Sequence, residues 1–396
     1  MPDLFDLSKK ALKRVAWWAS YVLPPLLIFR WTGILPYRTI SYKEFSPIPF
    51  RPDAQGAMDG QKPLSIGSHQ IWSVTPPSDL VMSHILRIEG GIADRLGNVF
   101  DPLTGKIISG GTHKYRYKVK RAHIPRPHRI YPHLERLSGE VAVCTASNQH
   151  IYWHWLLDVM PRLMMLEEMG KQPQFLYVQS KLPFQRKMLE YMEVLPKLKI
   201  IDCDKFPIIS ARVLFVPCHQ IMEGRAFPEW VIQSLRNKFL PFSKQGKVGS
   251  SGRLYVSRAG SSQRRISNEE RLLPILRDYG FQVVWLEELS FGEQMGLFRN
   301  AEVIVAPNGS GLANLVFCSK GTIVIEIFPN VPKALTSIDF TFNFDYNYRL
   351  AKALELHYYF VCGSNGNAHP SKAGDYSLMP EDLVQTFDLA KVARSK

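Results

Sequence analysis

From Gly139 onward, short apolar runs alternate with longer stretches of helical period. EVAVCTA (Glu140–Ala146), FLYVQ (Phe175–Gln179), KIIDCD (Lys199–Asp204) and RVLFVP (Arg212–Pro217) read as buried strands. His154–Met169, Pro183–Leu195 and Pro228–Leu240 carry helical spacing. Strand and helix in turn at this spacing predict βαβ units and a parallel sheet. The polar, Gly/Ser-rich segment SKQGKVGSSG (Ser243–Gly252) reads as a linker. Beyond it the alternation restarts: RLYVSR (Arg253–Arg258), a helix over Asn268–Tyr279, FQVVWLE, a helix over Phe291–Ala301, EVIVAP, a glycine turn, a helix over Leu312–Cys318, and TIVIEIF. Ser267 and Glu270 have the spacing of a capping box for the first of these helices. Two such units predict an α/β protein with two facing Rossmann-like domains, parallel sheets and a cleft between them.

The first 136 residues lack this regularity. Val15–Tyr37 is apolar and Trp-rich, but Arg14 and Arg30 bracket only about fifteen apolar residues and Pro24-Pro25 interrupts them, too short for a span. No small-residue cleavage site follows, as a signal peptide would need. Lys9, Lys10, Lys13 and Arg14 suit an interfacial segment beside acidic headgroups, or an extension packed on the protein body. Residues 38–110 read as short strands and loops. Lys114, Arg116, Lys118 and Lys120 then alternate onto one strand face, as a solvated edge or a patch for phosphate or lipid. The expected layout is 1–37 apolar/basic segment, 38–136 N-terminal extension, 137–242 first Rossmann-like domain, 253–365 second, and 366–396 C-terminal helix. That last helix, Pro380–Ala393, is amphipathic enough to pack on either domain.

Composition narrows the partners. The chain has 396 residues, and 45% apolar content is enough for sizeable cores. Lys and Arg outnumber Asp and Glu by 49 to 35, a formal charge of +14 that calls for an anionic partner. Five widely spaced cysteines without a CxxC pair argue against a disulfide scaffold or structural zinc, and for a reducing compartment. No interleaved aromatic and basic platform is evident, which ranks nucleic acid last among anionic partners.

Three constellations carry chemistry. In APNGSGLAN (Ala306–Asn314), Gly309 and Gly311 permit close backbone approach, and the following helix start, with Asn308, Ser310 and Asn314 around it, can hold phosphate. Glu326, late in TIVIEIF, is placed to accept ribose hydroxyls. Ser257-Arg258 ends the first strand after the linker, and Arg264-Arg265 follow. Arginine forks at the carboxyl end of a strand suit phosphate oxygens. In YWHWLLDVMPRL (Tyr152–Leu163), His154 and Asp158 stand four apart on one helix face, the spacing of a base and its orienting partner, or of a packed His and a local cap. Asp202-Cys203-Asp204 fits D-x-D but lies in the first unit, away from the nucleotide features, and reads as a solvated strand end. On residues alone, a glycine turn with Glu326 also allows an NAD(P)-dependent oxidoreductase.

HWLLDVMPRL, LYVSR with the later RR and NEE, LEELSFGEQMGLFRNAEVIVAPNGSGLANLVFC and GTIVIEIF, in this order over residues 140–330, resemble glycosyltransferase family 61. The resemblance implies a GT-B fold and an inverting transfer without a metal. It implies Asp158, with His154 beside it, as the acceptor-side base, Arg258 and the Gly309–Gly311 turn as the diphosphate site, and Glu326 as the ribose ligand. The family usually carries His where this chain has Asn308, which donates a hydrogen bond but cannot shuttle a proton. Relatives often have Asn where this chain has Ile151. The expectation is therefore a cytoplasmic enzyme, peripheral to the cytoplasmic membrane face. It takes a nucleoside-diphosphate sugar, in particular a UDP-sugar, as co-substrate and a polysaccharide or lipid-linked glycan as acceptor.

Overall fold

The computed structural model describes residues 82–100, 107–109, 134–146, 148–168, 170–193, 198–219, 227–244, 252–329, 346–364 and 374–395, with the short strands Thr39–Ser41, Ile48–Pro52 and Leu64–Ser65. The segment 1–37, most of the basic run and most of the linker lie outside the described residues. The chain divides into two compact units, one of residues 1–53 and 81–220, the other of 54–80 and 221–396.

The first unit is built on a mixed sheet. Four strands are parallel, in spatial order Ile208–Cys218, Glu135–Val143, Phe175–Val178 and Lys199–Asp202. By chain order that is fourth, first, second, third, so the winding reverses between Glu135–Val143 and Ile208–Cys218. Met82–Glu89 and Ile92–Asp94 pair antiparallel on the far side of Ile208–Cys218. The short strands expected in an N-terminal extension thus continue this sheet and cover what would otherwise be an unpaired edge. Leu64–Ser65 instead pairs with His357–Cys362 of the second unit.

In the second unit six strands are all parallel, in the order Gln282–Val284, Arg253–Val256, Val303–Pro307, Ile323–Phe328, His357–Cys362 and Leu64–Ser65. The five core strands run second, first, third, fourth, fifth, a doubly wound order that reverses between Arg253–Val256 and Val303–Pro307. Val303–Pro307 is buried along its whole length, as a parallel strand covered on both faces must be. The C-terminal helix, Pro380–Leu389, packs on this unit, with Phe387 stacked on Phe281 at 5.2 Å. Glu229–Phe239, assigned by sequence to the first domain, belongs to the second unit. Arg236 donates to the carbonyls of Val316 and Cys318 at 2.9 and 2.8 Å and anchors it there.

Local capping differs from expectation. The helix Glu269–Asp278 starts at Asn268, whose side chain is taken by the backbone of Leu378, while the Ser267 amide donates to Tyr376. The capping box forms instead at Ser290 and Glu293, on the helix Phe291–Asn300. Ser290→Ala should therefore lower stability by about 1 kcal/mol in denaturant melts, whereas Ser267→Ala should change it by less than about 0.5 kcal/mol.

None of the five cysteines forms a disulfide among the described residues, and Cys144, Cys203, Cys218 and Cys318 are buried. Burial pushes the Cys144 thiol up to about 12, which leaves it inert at neutral pH. Among the described residues no helix is long and apolar enough to cross a membrane.

Candidate functional site

In the first unit the chemistry gathers where the winding reverses. The chain leaves Glu135–Val143, turns through Thr145, and enters Tyr152–His154 and then a single π-helical stretch, Trp155–Val159. The Met160 amide there reaches back five residues to the Trp155 carbonyl. π turns of this kind are frequent at functional sites. Asp158 lies in it, its side chain only 1% exposed, and its Oδ2 meets Nδ1 of His154 at 2.6 Å. The imidazole is 23% exposed. With the carboxylate accepting, Nδ1 holds the hydrogen, and in the neutral ring Nε2 then carries the lone pair.

The Asp158 main chain is also held. Its carbonyl accepts from Nε of Arg162 at 3.2 Å and from Nε2 of His219 at 2.8 Å. Arg162 donates further to the Thr145 carbonyl at 3.3 Å. Because His219 directly follows the strand Ile208–Cys218, this network joins the carboxyl ends of the two strands that flank the reversal. Sequence reasoning passed over both Arg162 and His219. Arg162 was visible four residues after Asp158, but His219 is 61 residues away and nothing local marks it. Asp202 and Asp204 close a local turn, with Asp204 Oδ2 accepting from Gln179 at 2.8 Å, in keeping with a strand end.

The second unit repeats the arrangement with opposite charge. Arg258 follows the strand Arg253–Val256 and Asn308-Gly309 follows Val303–Pro307, so both stand at that sheet's reversal. Ligands of open parallel sheets bind at such a point. Arg258 donates through Nη2 to Ser261 Oγ at 2.7 Å and the Gln263 carbonyl at 3.1 Å. Arg264, in a left-handed conformation with φ 57°, donates through Nη1 to Asn308 Oδ1 at 2.6 Å. The Nε of each is buried without a hydrogen-bond partner among the described residues. Burial, then the neighbouring Arg264 charge, pulls the Arg258 pKa down, and burial does the same to Arg264. Neither forms an ion pair with an acidic side chain among the described residues. Two half-buried guanidinium groups without a salt-bridge partner among the described residues have the chemistry that suits an anion.

Gly309 has a different reason from the one its motif suggests. Its φ of −176° is extended and open to any residue, but a Cβ there would lie 2.3 Å from Arg258 Nη1. The glycine seats the arginine. Gly311 in turn makes room for Leu286, whose Cδ1 would lie 2.6 Å from an added Cβ. The helix that follows is a 3₁₀ run, Ser310–Phe317, with Ser310 half-buried beside the arginines' strand ends.

Three of the expected ligand residues are engaged within the protein. Arg265 is exposed and engaged by Asp375 at 2.6 Å. Asn314 is fully buried and donates to Gln294 at 2.9 Å, so it braces the turn from behind. Glu326 is also fully buried, and both its oxygens accept from protein groups: Asn308 at 2.6 Å, Asn347 at 2.9 Å, and the Tyr358 hydroxyl. Neither oxygen is exposed to a ligand at the surface. Burial pushes this carboxyl up to about 7, against the pull of its three donors and Arg264.

Fold and site together define an α/β protein with parallel sheets, a pair of arginines at one sheet reversal and a histidine–carboxylate dyad at the other. Residues 152–325, which contain Asp158, His154, Arg258, Asn308 and the glycine turn, match the family model Glycosyltransferase 61. The chain is 27% identical to the EGF domain-specific O-linked N-acetylglucosamine transferase of Drosophila melanogaster over 173 residues, 41% of this chain and 31% of that protein. It is 26% identical to the protein of the same name from Gallus gallus over 140 residues, 34% of this chain and 24% of that protein. The chain therefore spans less than a third of the length of these relatives.

Proposed function

We propose that this protein transfers a sugar from a nucleoside-diphosphate donor, in particular a UDP-sugar, to a hydroxyl of a polysaccharide or lipid-linked glycan. The observation that carries the reading is the half-buried pair Arg258 and Arg264, without a carboxylate ion-pair partner among the described residues, at a sheet reversal inside the segment that matches glycosyltransferase 61. A diphosphate leaving group gains negative charge as the glycosidic bond breaks. Fixed cations therefore stabilise the transition state more than the ground state. The donor belongs to the second unit and acceptor activation to the first, in the GT-B manner that the family resemblance implies.

The acceptor side departs from the sequence expectation. An Asp158 carboxylate this deeply buried is not the group an incoming alcohol meets. His154 is the exposed member, so His154 Nε2 takes the acceptor proton, while Asp158 holds the ring and stabilises the imidazolium that forms. The freed alkoxide attacks the anomeric carbon from the side opposite the diphosphate, which inverts the centre. The proposal includes no metal or other cofactor: the arginines supply the positive charge at the leaving group.

The rival oxidoreductase reading needed Glu326 for a ribose, and Glu326 is already satisfied internally. The relatives' names point to N-acetylglucosamine as the sugar and to EGF domains as a rival acceptor. The acceptor also fixes the compartment. A lipid-linked glycan suits the cytoplasmic membrane face proposed for this chain, whereas a disulfide-dense EGF domain requires an oxidising one. Calorimetric titration with UDP-N-acetylglucosamine, UDP-glucose and NAD should give binding of a UDP-sugar and none of NAD. Tight NAD binding without UDP-sugar binding would overturn the proposal.

A further inference from the structure

Glu326 sits inside the apolar strand IVIEIF and touches no solvent, yet it is surrounded by donors. Tyr358 reaches it from the neighbouring strand, and Asn347 from the helix Tyr346–Ala353. Its third donor is Asn308, the residue that also accepts from Arg264. The chemistry of these partners fixes the direction of the Asn308 amide. A carboxylate only accepts and a guanidinium only donates, so Nδ2 must face Glu326 and Oδ1 must face Arg264. Arg264 is thereby anchored through Nη1, and its remaining donors are left for a ligand.

We infer that Tyr358 and Asn347 are positioning residues for the donor's diphosphate, acting through Glu326 to hold Asn308 against Arg264. The inference rests on the donor reading above. Without these two donors the Glu326 carboxylate is free to leave Asn308 and pair with Arg264 directly, competing with the incoming anion. That competition exists only while Glu326 is ionised. The groups facing it are Asn308, Asn347 and Tyr358 by hydrogen bond, and Arg264 and Tyr376 by charge. Its carboxyl, pushed up to about 7 with Tyr358 and Asn347 donating and higher when either is lost, is largely neutral at about pH 6 and gains charge toward about pH 8.5.

The test is calorimetric affinity for UDP-N-acetylglucosamine, whose diphosphate diester does not titrate in this range, at about pH 6 and about pH 8.5. Tyr358→Phe and Asn347→Leu should weaken binding about tenfold at the higher pH and by less than about twofold at the lower. Glu326→Gln removes the competing charge, so adding Tyr358→Phe to it should cost nothing further. A loss equal at both pH values, or no loss at either, or a full additional loss in the Glu326→Gln background, would overturn the relay while leaving the donor site standing. If the wild-type protein binds neither this nucleotide sugar nor UDP-glucose, the donor reading fails and the relay with it.

Discussion

Asp158→Asn should cut sugar transfer by on the order of 10²–10⁴ while leaving nucleotide-sugar affinity within about twofold. The carboxylate is the acceptor that keeps the His154 hydrogen on Nδ1, at 2.6 Å. An amide in its place can present its NH₂ group to the ring and favour the other tautomer, which puts the hydrogen on Nε2 and removes the base. The main-chain bonds from Arg162 and His219 to the Asp158 carbonyl do not depend on the side chain, so the turn itself should persist. His154→Ala should lose a similar factor. Steady-state transfer measured beside calorimetric donor binding separates chemistry from folding. Retained turnover in both variants would remove the dyad from the mechanism.

Arg258→Ala should lower kcat/KM by about 10²–10³, by analogy with loss of one preorganised donor at a developing anion. Gly309→Ala should reproduce part of this loss without replacing the arginine, since the new methyl group would lie 2.3 Å from the present Nη1 position, too close for both to stay. The backbone at Gly309 is extended, so the alanine causes no backbone strain and its effect acts through the displaced guanidinium. In the Arg258→Ala background, Gly309→Ala should therefore add little. If the two losses simply summed, the glycine would have a role of its own, such as admitting the ligand's phosphates.

The strand and helix alternation after Gly139 was legible because buried parallel strands are continuous apolar runs that turn signals delimit. The residues at their carboxyl ends, Arg258 and Asn308, were legible for the same reason. The strand order was not: no pattern in RLYVSR or EVIVAP states that these two strands are neighbours, and the reversal between them makes their ends a site. Glu326 was misread for a related cause. A carboxylate in an apolar run signals either an edge exposed to ligand or a buried group with partners, and its partners Asn347 and Tyr358 lie 21 and 32 residues further on. The Ser267 capping pattern failed because tertiary pairing with Tyr376 took its backbone first.

The five-residue loop of main chain at Trp155–Val159 acts as a phase shifter. Each residue of a regular helix advances the azimuth by about 100°, so one surplus residue puts the segments on either side out of step by roughly that angle. Deleting one position there would restore an ordinary helix and swing the imidazole away from the sheet reversal, though no residue that does chemistry had changed.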